Sequence, residues 1–180
     1  MIKPYCPTQY IAATDIGTTE LDMAVFAHEI GDMRACTRKP AELGGIPHEL
    51  GTTGYGVTSA LEAAVEVLEE LKSLHVSKKQ IRVSIQGFGN VGSFTAKFLD
   101  SSGIRVVAIS DVSGFICNKD GLNIPRLMKD MKGKARFSDL KGYNIFDKEG
   151  IFEVDSDIFI PAAIGDVITD KTGSKLLNII

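Results

Sequence analysis

The spacing of hydrophobic residues along the chain alternates between two periods. Apolar side chains recur every three or four positions in several segments, which predicts amphipathic helices, whereas short runs rich in β-branched residues predict strands. Helices are expected from Thr19 onward (apolar at Leu21, Val25, Phe26 and Ile30), from Val57 to Leu74, over 91–101 and around 124–132. Strands are expected at Tyr10–Ala13, 81–85, 105–110 and 157–160. This order predicts an α/β fold with a Rossmann-like parallel sheet.

Other segments lack either period. The stretch 31–53 is rich in glycine and proline, which predicts a long irregular connection and a hinge or domain boundary. Turn chemistry dominates 77–80 and 111–123, and 133–150 is polar without a clear pattern. Residues 177–180 look like the beginning of another element.

Composition narrows the class of protein. The 180 residues are 44% hydrophobic and 24% charged, which is typical of a globular chain, and the net charge of −3 offers no general attraction for nucleic acid or anionic lipid. No apolar run long enough to cross a membrane and no signal peptide are present. Cys6, Cys36 and Cys117 are odd in number and far apart, so we expect free thiols in the reducing cytoplasm rather than disulfides or a zinc site.

The sequence Gln86-Gly-Phe-Gly-Asn-Val-Gly92 matches the pattern G-x-G-x-x-G between a predicted strand and a predicted helix. In a dinucleotide-binding turn, Gly87 permits the tight turn, Gly89 lets the backbone approach a pyrophosphate, and Gly92 allows helix and strand to pack closely. The amino end of the following helix would attract the phosphates. The alternative is a packing turn without a ligand.

Asp111 follows the next predicted strand, nineteen residues beyond Gly92. A carboxylate at this point can accept hydrogen bonds from the adenosine ribose of NAD. A capping or turn aspartate is the alternative interpretation. The P-loop signature is missing, which disfavours ATP hydrolysis.

Together, QGFGNVG, ISDVSGFICNKDGLNI and DIFIPAA resemble the glutamate/leucine/phenylalanine/valine dehydrogenases, with glutamate dehydrogenase most similar. The resemblance covers essentially the whole chain. It implies oxidative deamination of an amino acid to its 2-oxo acid and ammonia, with NAD or NADP as the hydride acceptor. The substrate it favours is L-glutamate, and leucine, phenylalanine or valine is the alternative. It also implies a homo-oligomer. Residues 1–50 would be the end of a substrate domain with the hinge, and 51–180 an incomplete NAD(P)-binding domain.

The resemblance also implies roles for individual residues. Asp15, in Ala12-Ala-Thr-Asp-Ile-Gly17, would transfer protons, although from the residues alone it is a turn or capping residue. Thr53 would approach the nicotinamide carboxamide. From the residues alone it is the N-cap of the following helix, and the two roles are compatible. The remaining contacts to NAD(P) would come from Gly87, Phe88, Gly89, Asn90, Val91, Gly92, Asp111, Ala162 and Ala163. No metal ligand is implied.

The sequence departs from the family in two ways. Where many members have a glycine followed by an arginine and acidic residues, this chain has Ile46-Pro-His-Glu-Leu-Gly-Thr52. The domain that bears the catalytic lysine in a Gly-Gly-x-Lys-Gly-Gly context has no counterpart. The chain alone is therefore expected to be inactive or nearly so, and a non-catalytic NAD(P)-binding or interaction module is the alternative.

Overall fold

A computed structural model describes residues 2–15, 17–71, 77 and 80–176. The chain divides into two compact units, Met1–Leu50 and Gly51–Ile180. The predictions for Leu74, for the lysines of the 77–80 turn and for 177–180 lie outside the described residues.

The first unit is built around one helix. Helix α1 spans Glu20–Ile30, and its predicted beginning at Thr19 is confirmed, because the Thr19 backbone N–H donates to Asp22 Oδ2 at 2.6 Å. Its buried residues are Met23 and Ala27, whereas Leu21 and Val25 are exposed within the unit. The helical spacing of those two residues therefore does not mark the buried face.

The prediction of a strand at Tyr10–Ala13 is wrong. Only Ala12 makes a β-bridge, to Cys36, and Tyr10 and Ile11 are exposed. The residues immediately before Cys36 form the 3₁₀ helix Met33–Ala35. The segment opposite Ala12 is therefore not extended on that side and cannot pair as a longer ladder. The predicted irregular stretch is confirmed, because it contains only short 3₁₀ helices before α2, at Met33–Ala35, Ala41–Leu43 and His48–Leu50. Another 3₁₀ helix lies near the start of the chain, at Lys3–Tyr5.

The second unit contains a four-stranded sheet in the order β3-β2-β1-β4. Its strands are β1 Arg82–Gln86, β2 Arg105–Asp111, β3 Gly114–Cys117 and β4 Ile158–Pro161. Because β1 pairs in parallel with both β2 and β4, the predicted α/β fold with a mostly parallel sheet is confirmed. Strand β3 was not predicted, because its four residues lie between turn signals and extend only by antiparallel pairing with β2.

Several helices accompany the sheet in the second unit. They are α2 Thr52–Glu70, α3 Asn90–Ser101, α4 Ile124–Asp130 and the short α5 Asp170–Gly173, with 3₁₀ helices at Phe137–Asp139, Lys148–Glu153 and Ser174–Leu176. The buried core joins α2, α3 and the sheet through Val65, Val83, Ile85 and Leu99. Phe137, from the polar segment that the sequence pattern left unassigned, is fully buried in the same core.

Parallel pairing brings the carboxyl ends of three strands to one edge of the sheet. Gln86 at the end of β1 lies opposite Ser110 of β2 and Pro161 of β4. In open α/β sheets this edge is where ligands bind. Within the described part of the chain, no helix is both long enough and apolar enough to cross a membrane.

Candidate functional site

A cleft of about 490 Å³ opens at the carboxyl ends of β1, β2 and β4. Six of the residues singled out from the sequence line it, namely Gly87, Phe88, Gly89, Asp111, Ala162 and Ala163. The structure therefore brings together the glycine turn, the end of β2 and the segment after β4.

Two glycines of the turn are required by packing. At Gly87, where φ is +102°, a Cβ atom would lie 2.6 Å from the carbonyl oxygen of Ala162. At Gly92 a Cβ atom would lie 2.0 Å from the carbonyl oxygen of Gly87. Any side chain at either position would push the turn apart from its neighbours.

Gly89 is different, because a Cβ atom there would meet no described atom within 4 Å. Its φ of −76° is also accessible to any residue, so neither packing nor backbone conformation demands glycine at this position. The backbone of Gly89 instead faces open space at the rim of the cleft. This is the arrangement expected where a ligand, rather than the protein, approaches the backbone.

Helix α3 begins directly after Gly89, which is its N-cap and has no capping side chain. The first N–H groups of a helix have no partner within the helix and carry a partial positive charge. Val91 and Gly92 lie in this first turn. Neither they nor Asn90 line the cleft themselves. The turn can thus present backbone donors to an anion that lies against Gly89.

Asp111 serves the turn role that the sequence left open as an alternative. Its Oδ1 accepts hydrogen bonds from the Ser113 N–H and O–H, both at 2.7 Å, and from the Gly114 N–H at 3.2 Å. Its Oδ2 accepts from the Phe137 N–H. The carboxylate therefore ties the β2–β3 turn to the 3₁₀ helix at Phe137–Asp139 while lining the cleft.

The segment after β4 is positioned by the sheet. The Ala162 N–H donates to the carbonyl oxygen of Gln86 at 2.8 Å, which extends the β1–β4 pairing by one residue. Ala162 and Ala163 lie against Gly87, where their small side chains leave the cleft open.

Thr53 lies inside the first turn of α2 rather than at its N-cap. The N-cap is Gly51, whose φ is +66°, so the capping role predicted for Thr53 is wrong. With the left-handed backbone at Gly51 as its N-cap, the helix begins two residues earlier than a Thr53 N-cap would place it. Thr53 is not among the described residues that line the cleft.

Asp15 belongs to the first unit, where it begins a tight turn. Its backbone N–H donates to Thr18 Oγ1 at 2.7 Å, and the Thr18 hydroxyl donates back to its carbonyl oxygen at 2.8 Å. Asp15 is exposed within this unit. Among the described residues, no group of three His, Cys, Asp or Glu side chains could hold a metal ion.

Sequence reasoning missed several residues of the cleft wall. Gln86 and Ser110 could have been found, because each lies near the end of a predicted strand. Met131 lies at the end of the helix predicted around 124–132. The others lie next to Asp111 or in segments without a hydrophobic period, namely Val112, Ala135, Lys148, Glu149, Phe152, Ile164 and Val167. Gln86 Oε1 is buried and, among the described residues, has no hydrogen-bond partner.

The parallel sheet, the glycine turn and the cleft at the strand ends define the second unit as a Rossmann-type α/β domain. The chain as a whole belongs to the Glutamate/Leucine/Phenylalanine/Valine dehydrogenase family, whose sequence profile matches residues 44–179.

Individual relatives agree with this assignment. The chain is 36% identical over 176 residues to the catabolic NAD-specific glutamate dehydrogenase RocG of Bacillus subtilis, covering 94% of this chain and 40% of that protein. It is also 36% identical over 173 residues to an NADP-specific glutamate dehydrogenase of Saccharolobus shibatae, covering 92% of this chain and 39% of that protein. The chain thus spans about 40% of the length of the curated relatives that it matches.

Solved structures share the fold. The hetero-hexameric glutamate dehydrogenase of Thermus thermophilus superposes with a TM-score of 0.74 at 22% identity, over 92% of this chain and 39% of that one. The L-tryptophan dehydrogenase of Nostoc punctiforme superposes with a TM-score of 0.57 at 22% identity, over 98% of this chain and 42% of that one.

Proposed function

We propose that this chain is the coenzyme-binding part of an NAD(P)-dependent amino-acid dehydrogenase that converts L-glutamate to 2-oxoglutarate and ammonia. Membership of the family supports the reaction class, and two glutamate dehydrogenases at 36% identity support glutamate as the substrate. Because one of them is NAD-specific and the other NADP-specific, the relatives support both coenzymes. We still predict that the protein is cytoplasmic and that it forms a homo-oligomer.

The observation that carries this proposal is the open space in front of Gly89. Packing requires glycine at positions 87 and 92, but neither packing nor a positive φ requires it at position 89. Gly89 instead borders a cleft large enough for part of a dinucleotide. The residues present therefore fit a dinucleotide whose pyrophosphate lies against the amino end of α3.

The remaining roles follow from this placement. The turn from Gly87 to Gly92 would hold the pyrophosphate, and Phe88 would brace the turn by packing on Phe137, with ring centroids 5.3 Å apart. Asp111 would lie beside the adenosine ribose. Ala162 and Ala163 would leave room for the nicotinamide ribose, and Thr53 would contact the carboxamide. The bound nicotinamide supplies the hydride-accepting ring.

The first unit would contribute the end of the substrate domain and the hinge, and 51–180 would form the NAD(P)-binding domain. Asp15 would carry the proton transfers of the reaction, because a carboxylate on an exposed turn can act as a general acid and base. The amino acid and its 2-oxo acid would bind beside it in the whole protein.

Binding can be tested with a matched pair of substitutions. Gly89→Ala places a methyl group where the pyrophosphate should lie, whereas Gly56→Ala places one in open space on α2, outside the cleft lining. We expect Gly89→Ala to weaken NADH binding about tenfold, as measured by fluorescence titration, because the backbone can no longer approach the phosphates. Gly56→Ala should leave the affinity unchanged, and equal affinities for both variants would contradict the proposal.

Activity is a property of the whole protein, so it needs a second measurement. The longer protein that contains this chain should oxidise NADH or NADPH only when both ammonia and a 2-oxo acid are present, with 2-oxoglutarate preferred over branched and aromatic 2-oxo acids. Saturable binding of NADH without turnover would instead identify a non-catalytic nucleotide-binding module.

A further inference from the structure

The charged side chains of the cleft are few. Among the described residues that line it, Asp111, Lys148 and Glu149 are the charged ones, so Lys148 is the single cation of that set. A dinucleotide brings phosphate groups, whose preferred protein partners are cations and backbone N–H groups. The glycine turn supplies N–H groups for the pyrophosphate, which leaves the partner of any further phosphate to be identified.

Both carboxylate oxygens of Asp111 are already engaged by donors of the protein. A carboxylate beside the adenosine ribose ordinarily disfavours a phosphate on the 2′ oxygen. Here three backbone N–H groups and one hydroxyl donate to the two oxygens of Asp111. These donors hold both oxygens toward the loops behind them, so Asp111 is committed to the β2–β3 turn as well as lining the cleft. Discrimination at the 2′ position can then also come from the other charged side chains that line the cleft, Lys148 and Glu149.

Lys148 is held on the adenosine side of the cleft. The 3₁₀ helix that it begins is capped by Asp147, which accepts the Glu149 N–H at 3.0 Å. Ile151 and Phe152 of this helix are buried together with Ala108 of β2 and Phe115 of β3. The helix thus packs against β2, which ends at Asp111, and against β3, which follows it. The Lys148 side chain itself is exposed.

Gly150 strengthens this anchor. A Cβ atom at Gly150 would lie 2.8 Å from the ring of Phe115, so the helix approaches β3 as closely as its backbone allows. The main chain at Lys148 is therefore fixed, and only its flexible side chain has to move to reach a ligand.

From this arrangement we propose that Lys148 is a specificity-determining residue, whose ammonium group binds the 2′-phosphate of NADP(H). The inference rests on the proposed coenzyme-binding function of the cleft. Glu149, its neighbour in the cleft wall, opposes the same phosphate by charge repulsion. The balance between these two side chains then sets how far the cleft accepts the phosphorylated coenzyme.

The test compares NADPH with NADH, which differ only in the 2′-phosphate. Both are titrated by fluorescence into the 180-residue chain and into Lys148→Gln, with Lys119→Gln as the matched control, because Lys119 is exposed and does not line the cleft. We expect Lys148→Gln to weaken NADPH binding about fivefold and NADH binding less than twofold, the range of an exposed ion pair. The difference should shrink at high salt.

A second variant tests the sign of the effect. Glu149→Gln removes the repulsive charge and should strengthen NADPH binding about twofold while leaving NADH binding unchanged. If Lys148→Gln weakens both coenzymes equally, or neither, the inference about Lys148 is overturned, whereas the proposed function stands as long as NADH binds. If neither coenzyme binds to the unsubstituted chain, the proposed function and this inference fail together.

Discussion

Gly92 is the residue of the turn with the least space around it. A methyl group there would lie 2.0 Å from the carbonyl oxygen of Gly87, so the start of helix α3 would have to separate from the backbone at Gly87. Contacts of this kind involve backbone atoms, which cannot move aside as a side chain can.

We expect Gly92→Ala to lower the free energy of unfolding by about 1–3 kcal/mol, the usual cost of overpacking. Urea denaturation measures this change. Gly56→Ala, on an open face of α2, should leave stability unchanged or raise it slightly, because alanine has the higher helix propensity. A Gly92→Ala variant as stable as the original chain would show that the turn can relax.

The sequence alone could identify Asp111 but not decide between its two roles. The glycine fingerprint and the spacing to Asp111 are local features, and the structure confirms the strand and the turn that they predict. The donor at Phe137 lies 26 residues further along, in a segment without hydrophobic periodicity. Contacts of that separation depend on the tertiary fold, which no local pattern contains.

Strands β1 and β4 are joined at the edge opposite the cleft by an ion pair. Asp157 accepts from the Arg82 backbone N–H at 2.7 Å and from its guanidinium Nη2 at 2.9 Å. Burial alone would raise the pKa of Asp157, but the hydrogen bonds and the charge of Arg82 outweigh it, so the pKa lies below its usual value of 3.8. Asp155 also pairs with Arg82, although its own side chain is largely exposed.

Asp157→Asn should therefore lower the free energy of unfolding by about 1–3 kcal/mol at neutral pH, between the ranges for exposed and buried pairs. Asp155→Asn, the matched control, should cost less than about 1 kcal/mol. Denaturant titrations at several pH values give both numbers.

The cost of Asp157→Asn should also depend on pH in a defined direction. A carboxyl group whose pKa is lower in the folded than in the unfolded protein stabilises the fold at pH values above its unfolded pKa. This contribution is lost as the pH falls through the folded pKa. The difference between the original chain and Asp157→Asn should therefore be constant from neutral pH down to about pH 5 and shrink below about 3.8. A difference that persists unchanged at pH 2 would contradict an ionised Asp157 as its source.

Elements with a long, regular period could be predicted, and elements defined by tertiary pairing could not. Helices α1, α2 and α3 and strands β1, β2 and β4 lie within a few residues of their predicted positions. Strand β3 and the isolated bridge at Ala12 differ from the prediction because each depends on whether a partner strand is present, which the residues of the segment do not specify.

The two compact units differ greatly in the core that each buries. The first unit has one small cluster of buried residues, Ala12, Met23, Ala27 and Cys36, with Phe26 packed against it. The second unit buries a cluster that includes the sheet, α2, α3 and α4. Every described residue that lines the cleft belongs to this second unit.

A protein consisting of residues 51–180 should therefore fold and bind NADH with an affinity within about twofold of the 180-residue chain. A peptide of residues 1–50 should show no cooperative unfolding, because so small a core does not offset the conformational entropy of its chain. Circular dichroism melts and NADH fluorescence titrations measure both outcomes. Loss of NADH binding in the 51–180 protein would show that the first unit contributes to the cleft.

The pairing of Phe115 with Phe146 has a consequence for how the sheet can grow. The Phe115 N–H donates to the Phe146 carbonyl oxygen at 3.0 Å, and the Phe146 N–H donates back at 2.9 Å. These bonds engage the backbone of Phe115 on the outer edge of β3, where a foreign chain could otherwise add a strand and start edge-to-edge aggregation. At the other end of the described sheet lies β4, so a further strand is expected to pair more easily beside β4 than beside β3.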